Sequence, residues 1–374
     1  MSFDSFDTSP RAGKGWLARL HLDLPLLFGL LLTSAVGLVV LYSASGRNMD
    51  MVTNQALRLG MAFAGMIVIA QVNPRQLRLW TPWLYGLGVI MLIAVLLMGQ
   101  VGKGAQRWLD LGVVRFQPAE ILKLGLPMMI AWFLADSALP PRPWRMIVSA
   151  LLIVVPVALI AKQPDLGTAL LIACAGFFAL FLAGLRWRIM GLAVLLIAPL
   201  GTLMWHFGMH DYQRQRVLTF LDPETDPLGA GYHIIQSMIA VGSGGVYGKG
   251  WLNGTQSHLD FLPERHTDFI FAVLGEEFGL IGAAILLVLY TFLIVRGLYI
   301  ATQAQDTYTR LLAGTLTLTF FVYVFVNAGM VTGLLPVVGV PLPLVSYGGT
   351  AVVTLLTGFG MLMSIHTHRK LLST

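Results

Sequence analysis

From residue 24 onward the chain is a succession of long apolar runs, and its polar positions collect in short links between them instead of following the periodicity of an amphipathic helix or strand. A transmembrane helix needs about 20 mostly apolar residues. Ten runs answer to that description, at 24–45, 55–72, 80–99, 118–136, 145–162, 167–184, 187–206, 268–295, 311–335 and 347–366. They predict an all-α polytopic membrane protein with about ten transmembrane helices, a single integral membrane domain over residues 1–374. Neither a sequence repeat nor a separate soluble domain is visible.

Composition sharpens this picture. Of 374 residues 56% are hydrophobic and 11% charged, against roughly a quarter charged in soluble domains, which excludes a cytosolic globule. The single cysteine, Cys174, excludes an intramolecular disulfide and the paired cysteines of common metal sites. The net charge of +6 is spread in ones and twos between apolar runs, so no nucleic-acid surface is expected. The first residues hold Asp4, Asp7, Pro10 and Arg11 but no apolar core of a signal peptide, so the first run is expected to stay as an anchor.

An even number of spans puts both termini on one side, and the positive-inside rule says which. Thirteen of the 24 Lys and Arg residues but only five of the 18 acids fall on the terminal side. Both termini are therefore expected in the cytoplasm, with residues 1–23 and 367–374 as cytoplasmic segments. The outer link between the seventh and eighth runs, 207–267, far exceeds the ~2 to 8 residues usual between packed helices. Its aromatics and the apolar piece Tyr232–Val241 predict an ordered cap with re-entrant or interfacial helices.

Ionisable groups at membrane depth cost at least ~2.5 kcal/mol each, so those present invite a functional explanation. Glu120 and Lys123, three apart at the start of the fourth run, share a helix face and can pair with each other or contact substrate. Asp165 follows Pro164 at the start of the sixth run, as a helix cap or as a site acid. In the cap, Arg214 and Arg216 have the chemistry to clamp a phosphate, His266 that of a base, and Asp268 that of either a helix cap or a general base. A second outer link carries Arg107 and Trp108; an aromatic there can sit in the interface belt or against a sugar. Gly242–Gly250 lacks the spacing of a phosphate-binding loop. Carboxylates and cations at the outer ends of spans suit sugar transfer from an anionic lipid donor, and equally an anion transporter.

Six motifs narrow the choice: Gly104-Ala-Gln-Arg-Trp-Leu-Asp-Leu, Gln117-Pro-Ala-Glu, Gln163-Pro-Asp-Leu-Gly-Thr, Asp222-Pro-Glu-Thr-Asp-Pro-Leu-Gly, Pro263-Glu-Arg-His-Thr-Asp-Phe and Pro341-Leu-Pro-Leu-Val-Ser-Tyr-Gly-Gly. In order and position they resemble the SEDS family (shape, elongation, division and sporulation), from about Trp16 to His368. The resemblance implies a peptidoglycan glycosyltransferase of the bacterial inner membrane, with a GT-C-like core, that polymerises lipid II on the periplasmic face and releases undecaprenyl pyrophosphate. Carried over residue by residue, it implies Asp268 as the catalytic carboxylate, with Lys123, Asp165, Arg107 and Trp108 as further site residues. It implies as partners a class B penicillin-binding protein and the rod-complex proteins MreC and MreD. A divalent cation, Mg or Mn, fits acids that share a pyrophosphate, though no ligand set can be named. The competing functions are a lipid II flippase and a non-catalytic scaffold. The first suffers from the absence of an acid–base cluster at the cytoplasmic ends of the spans, and the second leaves Glu120, Lys123 and Asp165 without a purpose.

Overall fold

The computed structural model describes residues 21–369 apart from 103–104, 111–114, 204, 207–213, 215–217, 220–221, 223–229, 260 and 263. Arg216 and most of the 222–229 motif, together with residues 1–20 and 370–374 of the terminal segments, lie outside the described residues. Every one of the ten predicted runs is a helix, so the chain is an all-α polytopic membrane protein. In chain order these are α1 (Leu24–Ala44), α2 (Met49–Gln71), α3 (Pro74–Met98), α4 (Ala119–Ala135), α5 (Pro143–Lys162), α6 (Leu166–Leu182) and α7 (Trp187–Leu203). The long outer link contributes α8 (Ala230–Gly244) and the single turn α9 (Thr255–His258), and α10 (Ile270–Thr302), α11 (Thr307–Val331) and α12 (Thr350–Thr367) complete the bundle.

Seven of these helices are long and apolar enough to cross a membrane by length and composition, among the described residues. The other three, α4, α6 and α7, have 17 residues each, about 26 Å at 1.5 Å per residue. Starts are set locally. The side chains of Asp23, Asn48, Asn73, Asp165 and Asp306 each accept a backbone N–H of the first turn of α1, α2, α3, α6 and α11.

Several helices outrun their apolar stretches, most of all α2 and α3 at their starts and α10 at its end. α10 continues to Thr302, beyond the predicted 295, because Arg296 finds a counter-ion: its Nε and Nη2 donate to Asp23 at 3.1 and 2.7 Å. His366 Nδ1 lies 2.7 Å from the same carboxylate, so one buried acid ties the start of α1 to α10 and α12. α2 begins at Met49, not 55, and α3 at Pro74, not 80, because Asn48 and Asn73 cap their first turns, accepting Met51 N and Arg75 N. Buried Gln55 exchanges hydrogen bonds with the loop before α12, its Nε2 donating to Ser346 O and its Oε1 accepting Gly348 N.

α11 is the central post, packing against α4, α6, α10 and α12 and largely buried along its length. Helices at the periphery instead turn side chains such as Trp83, Leu97 and Leu195 outward, as lipid-facing surfaces do. α12 runs close against α2, where a Cβ on Gly360 would stand 2.6 Å from Met66 O. Between α3 and α4 the outer link folds into a small antiparallel sheet of β1 (Gln100–Gly102), β2 (Ala105–Asp110) and β3 (Arg115–Phe116) in that order. This sheet adds to the all-α bundle an element that the apolar pattern does not predict.

Candidate active site

Two clusters of polar side chains meet on the side of the bundle where the long link lies. The first is built on α4 and α6. Lys123 Nζ donates to Glu120 Oε1 at 2.6 Å, and both side chains are buried. Three residues apart on one helix face, they pair as sequence spacing predicts. The ammonium also stands 5.5 Å from the ring centroid of Tyr323 on α11. Glu120 Oε2 is buried without a hydrogen-bond partner, an arrangement that costs free energy unless a ligand or water fills it.

Asp165 caps α6 and is a member of the cluster at once. Its carboxylate accepts the Thr168 amide at 3.2 Å, the Thr168 hydroxyl at 2.9 Å and the Gln117 side-chain amide at 3.1 Å. Arg107, projected from β2, donates Nη2 to Pro164 O at 3.0 Å and holds Nε 3.5 Å from Asp165 Oδ2. The small sheet therefore has a job, which is to bring a guanidinium over the start of α6. Trp108, next on β2, is half-buried and pairs in register with Gln100.

The second cluster surrounds Asp268. A cavity of about 320 Å³ is lined by Asp268, Glu264, His233, Thr219, Ile234, Phe269 and Val337. Residues 264–269 form a turn in which Thr267 N and Phe269 N both donate to Glu264 O. That turn is stitched to the loop before α12. Tyr347 N donates to His266 O at 2.8 Å, Ser346 Oγ to Thr267 O at 2.5 Å, and Asn327 Nδ2 on α11 to both Asp268 O and Val340 O at 2.8 Å. Two of the six motifs, far apart in sequence, thus form one scaffold.

The loop after α11 also joins the clusters. A Cβ on Gly167, two residues from Asp165, would meet Val338 O at 2.3 Å, while one on Gly339 would stand 3.6 Å from Asp268 Oδ2. Gly339 has a φ of 72°, a left-handed conformation that favours glycine. Residues 338–340 consequently run between the Asp165 and Asp268 groups.

Several sequence expectations change here. Asp268 is not the cap of α10: the N-cap residue is Phe269, and it makes no side-chain cap hydrogen bond. His266 turns its ring edge-on to Tyr347, 6.1 Å between centroids, and is not among the cavity-lining residues. Arg214 donates Nε to Trp205 O and Nη2 to His206 O, so part of its fork is committed to its own link. Glu276, buried near the start of α10, accepts from Lys249 Nζ at 2.7 Å, Thr255 Oγ1 and Gln256 N. Glu277 accepts from Ser43 Oγ on α1.

Gly242–Gly250, which superficially suggested a phosphate loop, is a strut. α10 breaks at Gly279, φ 63°, and residues 245–250 fill the break: Leu280 N donates to Gly245 O and Gly250 N to Glu277 O. A Cβ on Gly248 would come within 2.2 Å of Glu277 O.

Sequence reasoning missed three residues, His233, Tyr323 and Asn327. His233 sits in the apolar piece of the long link, and its Nδ1 is buried without a hydrogen-bond partner. Its ring stacks on Phe269, 5.9 Å between centroids and 13° between planes. Burial pushes the imidazole below its usual 6.5, opposed in part by the charge of Glu264, so it is neutral at pH 7. Polar positions inside the apolar runs were the available signal, and only packing shows where they point. Among the described residues no three His, Cys, Asp or Glu side chains assemble into a metal-ligand set.

Comparison with known proteins assigns a context to this geometry. Residues 22–371 match the FtsW, RodA and SpoVE family, described as cell cycle protein. The chain is 57% identical over 360 residues to peptidoglycan glycosyltransferase MrdB of Escherichia coli K12, covering 96% of this chain and 97% of that one. In structure it is similar to a chain of a peptidoglycan synthase complex that coordinates polymerization and crosslinking, with a TM-score of 0.81, 35% identity, and coverage of 93% and 98%. It is likewise similar to the rod shape determining protein RodA of Thermus thermophilus, with a TM-score of 0.71, 29% identity, and coverage of 93% and 98%.

Proposed function

Since this chain belongs to the FtsW, RodA and SpoVE family and is a peptidoglycan glycosyltransferase, we propose that it polymerises lipid II at the cavity beside Asp268. The observation that carries this reading is the meeting, around residues 338–340, of a half-buried carboxylate in a cavity with a group of paired cations and acids, among them buried Lys123, Glu120 and Asp165. Glycosyl transfer from a lipid pyrophosphate needs both. The 4-hydroxyl oxygen of the incoming sugar forms a bond to the anomeric carbon of the growing strand, whose bond to pyrophosphate oxygen breaks. The hydroxyl proton goes to Asp268, and undecaprenyl pyrophosphate leaves with the electron pair.

Arg107 and Lys123 supply positive charge toward that leaving group, and in a water-poor setting such charge is worth far more than in bulk water. Trp108 offers a face to a sugar ring. Thr219, Ile234 and Val337 shape the cavity, and neutral His233 adds a polar atom to its wall. Among the described residues no three His, Cys, Asp or Glu side chains offer a ligand set for a protein-held divalent cation. Arg214, Arg216 and His266 serve, in this reading, as substrate contacts of the outer cap.

The protein works in the bacterial inner membrane with both termini in the cytoplasm and residues 207–267 in the periplasm. Its partners are a class B penicillin-binding protein, which crosslinks the strands, and the rod-complex proteins MreC and MreD. A coordinated polymerizing and crosslinking complex among its structural relatives supports the first of these. The test is Asp268→Asn, purified with its penicillin-binding partner and supplied with lipid II. An amide keeps the shape but cannot take the proton, so polymer yield should fall by ~10² to 10⁴-fold while folding persists. A rate above about a tenth of wild type would remove Asp268 as the base.

A further inference from the structure

At the opposite end of the bundle, the end that carries the termini, lies a second cavity of about 270 Å³. It opens between the α2–α3 turn, the α10–α11 turn and the end of α12, and its lining includes Asn73, Arg75, Asp306, Ile365, His368 and Arg369. None of these takes part in the site described above.

Two of the walls are fixed before anything binds. Arg369 donates Nε to His366 O at 2.9 Å and Nη1 to Gln303 Oε1 at 3.1 Å, which orients the guanidinium. His368 stacks flat on His21, with centroids 4.0 Å apart and planes within 7°, and holds Nδ1 3.0 Å from Ser364 O. Preorganised donors of this kind lose little freedom on binding. Asp306 spends Oδ1 on the Thr309 amide at 2.9 Å, leaving one carboxylate against two guanidiniums. The balance favours an anion, and guanidiniums suit phosphate oxygens in particular.

What the anion is attached to follows from α3. Arg75 heads a row at four-residue steps, Leu79, Trp83 and Leu87, which share one helix face. Leu79 is 71% and Trp83 80% exposed, so the row faces lipid. A cationic cavity at the polar end of an apolar lane matches an amphiphile with a phosphate head. We propose that this cavity binds the phosphodiester headgroup of an anionic glycerophospholipid from the leaflet on the terminal side. The phosphate lies on Arg75 and Arg369, headgroup hydroxyls donate to Asp306 and Asn73, and an acyl chain lies along Leu79 and Trp83. Basic pockets between helices on the cytoplasmic side are sites of this chemical type. The inference does not depend on the role of Asp268.

Native mass spectrometry of the full-length protein in detergent tests it, with phosphatidylglycerol, phosphatidylcholine and inorganic phosphate as separate probes. The wild type should retain one phosphatidylglycerol at least tenfold more tightly than phosphatidylcholine, and inorganic phosphate equimolar with the lipid should not displace it. Arg75→Gln combined with Arg369→Gln should weaken retention at least tenfold. Exposed Arg75→Gln alone, which touches no packing contact of Arg369, should weaken it several-fold. Arg188→Gln, which removes one exposed cation elsewhere on the same side, should leave retention unchanged. Equal retention of both lipids, unchanged retention in the double variant, or a matching loss in Arg188→Gln would overturn the proposal. Displacement by phosphate at the lipid's own concentration would assign the cavity to a free anion and overturn the lipid as its occupant.

Discussion

Replacing Lys123 separates a structural ion pair from a catalytic one. Its Nζ is 2.6 Å from Glu120 Oε1, the two side chains are only 9% and 6% exposed, and Glu120 Oε2 already lacks a hydrogen-bond partner. Lys123→Met preserves the aliphatic stem but strands a buried carboxylate, and breaking such a pair from one side costs ~3 to 5 kcal/mol. Removing the cation also withdraws charge from a leaving pyrophosphate, a loss of ~10² to 10³ in rate for a typical donor. The single variant cannot tell these apart, because an unstable protein is also inactive. Adding Glu120→Gln can. With both charges gone the stability penalty should largely disappear, since replacing both partners of a buried pair is often close to neutral. Activity should stay low, since no cation has returned. Thermal unfolding in detergent reports the first quantity and polymer formed from lipid II the second. Recovery of polymer formation in the double variant would refute the argument and reduce Lys123 to a neutraliser of Glu120.

Gly167→Ala should lower polymer formation and cost ~1 to 3 kcal/mol in detergent unfolding, because its Cβ would stand 2.3 Å from Val338 O and displace the loop that passes Asp268. His233 gives a pH signature: its folded pKa lies below the usual 6.5, so the unfolded chain binds the extra proton first and stability falls as pH drops below about 6.5. His233→Gln should flatten that slope in unfolding measured from pH 7.5 to 5.5, and an unchanged slope would exclude His233 as its source. After replacement of Cys174, a cysteine at exposed Asn253 should react with an impermeant reagent applied outside and one at Gln305 should not; the reverse pattern would invert the assigned sidedness.

Span number and the Glu120–Lys123 pair were legible in the sequence because they are local properties. An apolar run long enough to cross a membrane has no other stable state there than a helix, and an Asp or Asn ahead of it captures amides within three residues. The six motifs pointed to the family, and through it to Asp268, Asp165 and Arg107. Their partnership was not legible. Asn327 reaches Asp268 O across 59 residues and Gln55 reaches Ser346 O across 291, and no periodicity records a contact of that separation. The same holds for His233, an unremarked polar position in the long link until packing brings it beside Asp268 and Phe269. Helix ends were misplaced where a polar residue found a distant partner, as Arg296 did in Asp23, because sequence reading treats a charge as an interruption and only tertiary structure can neutralise it.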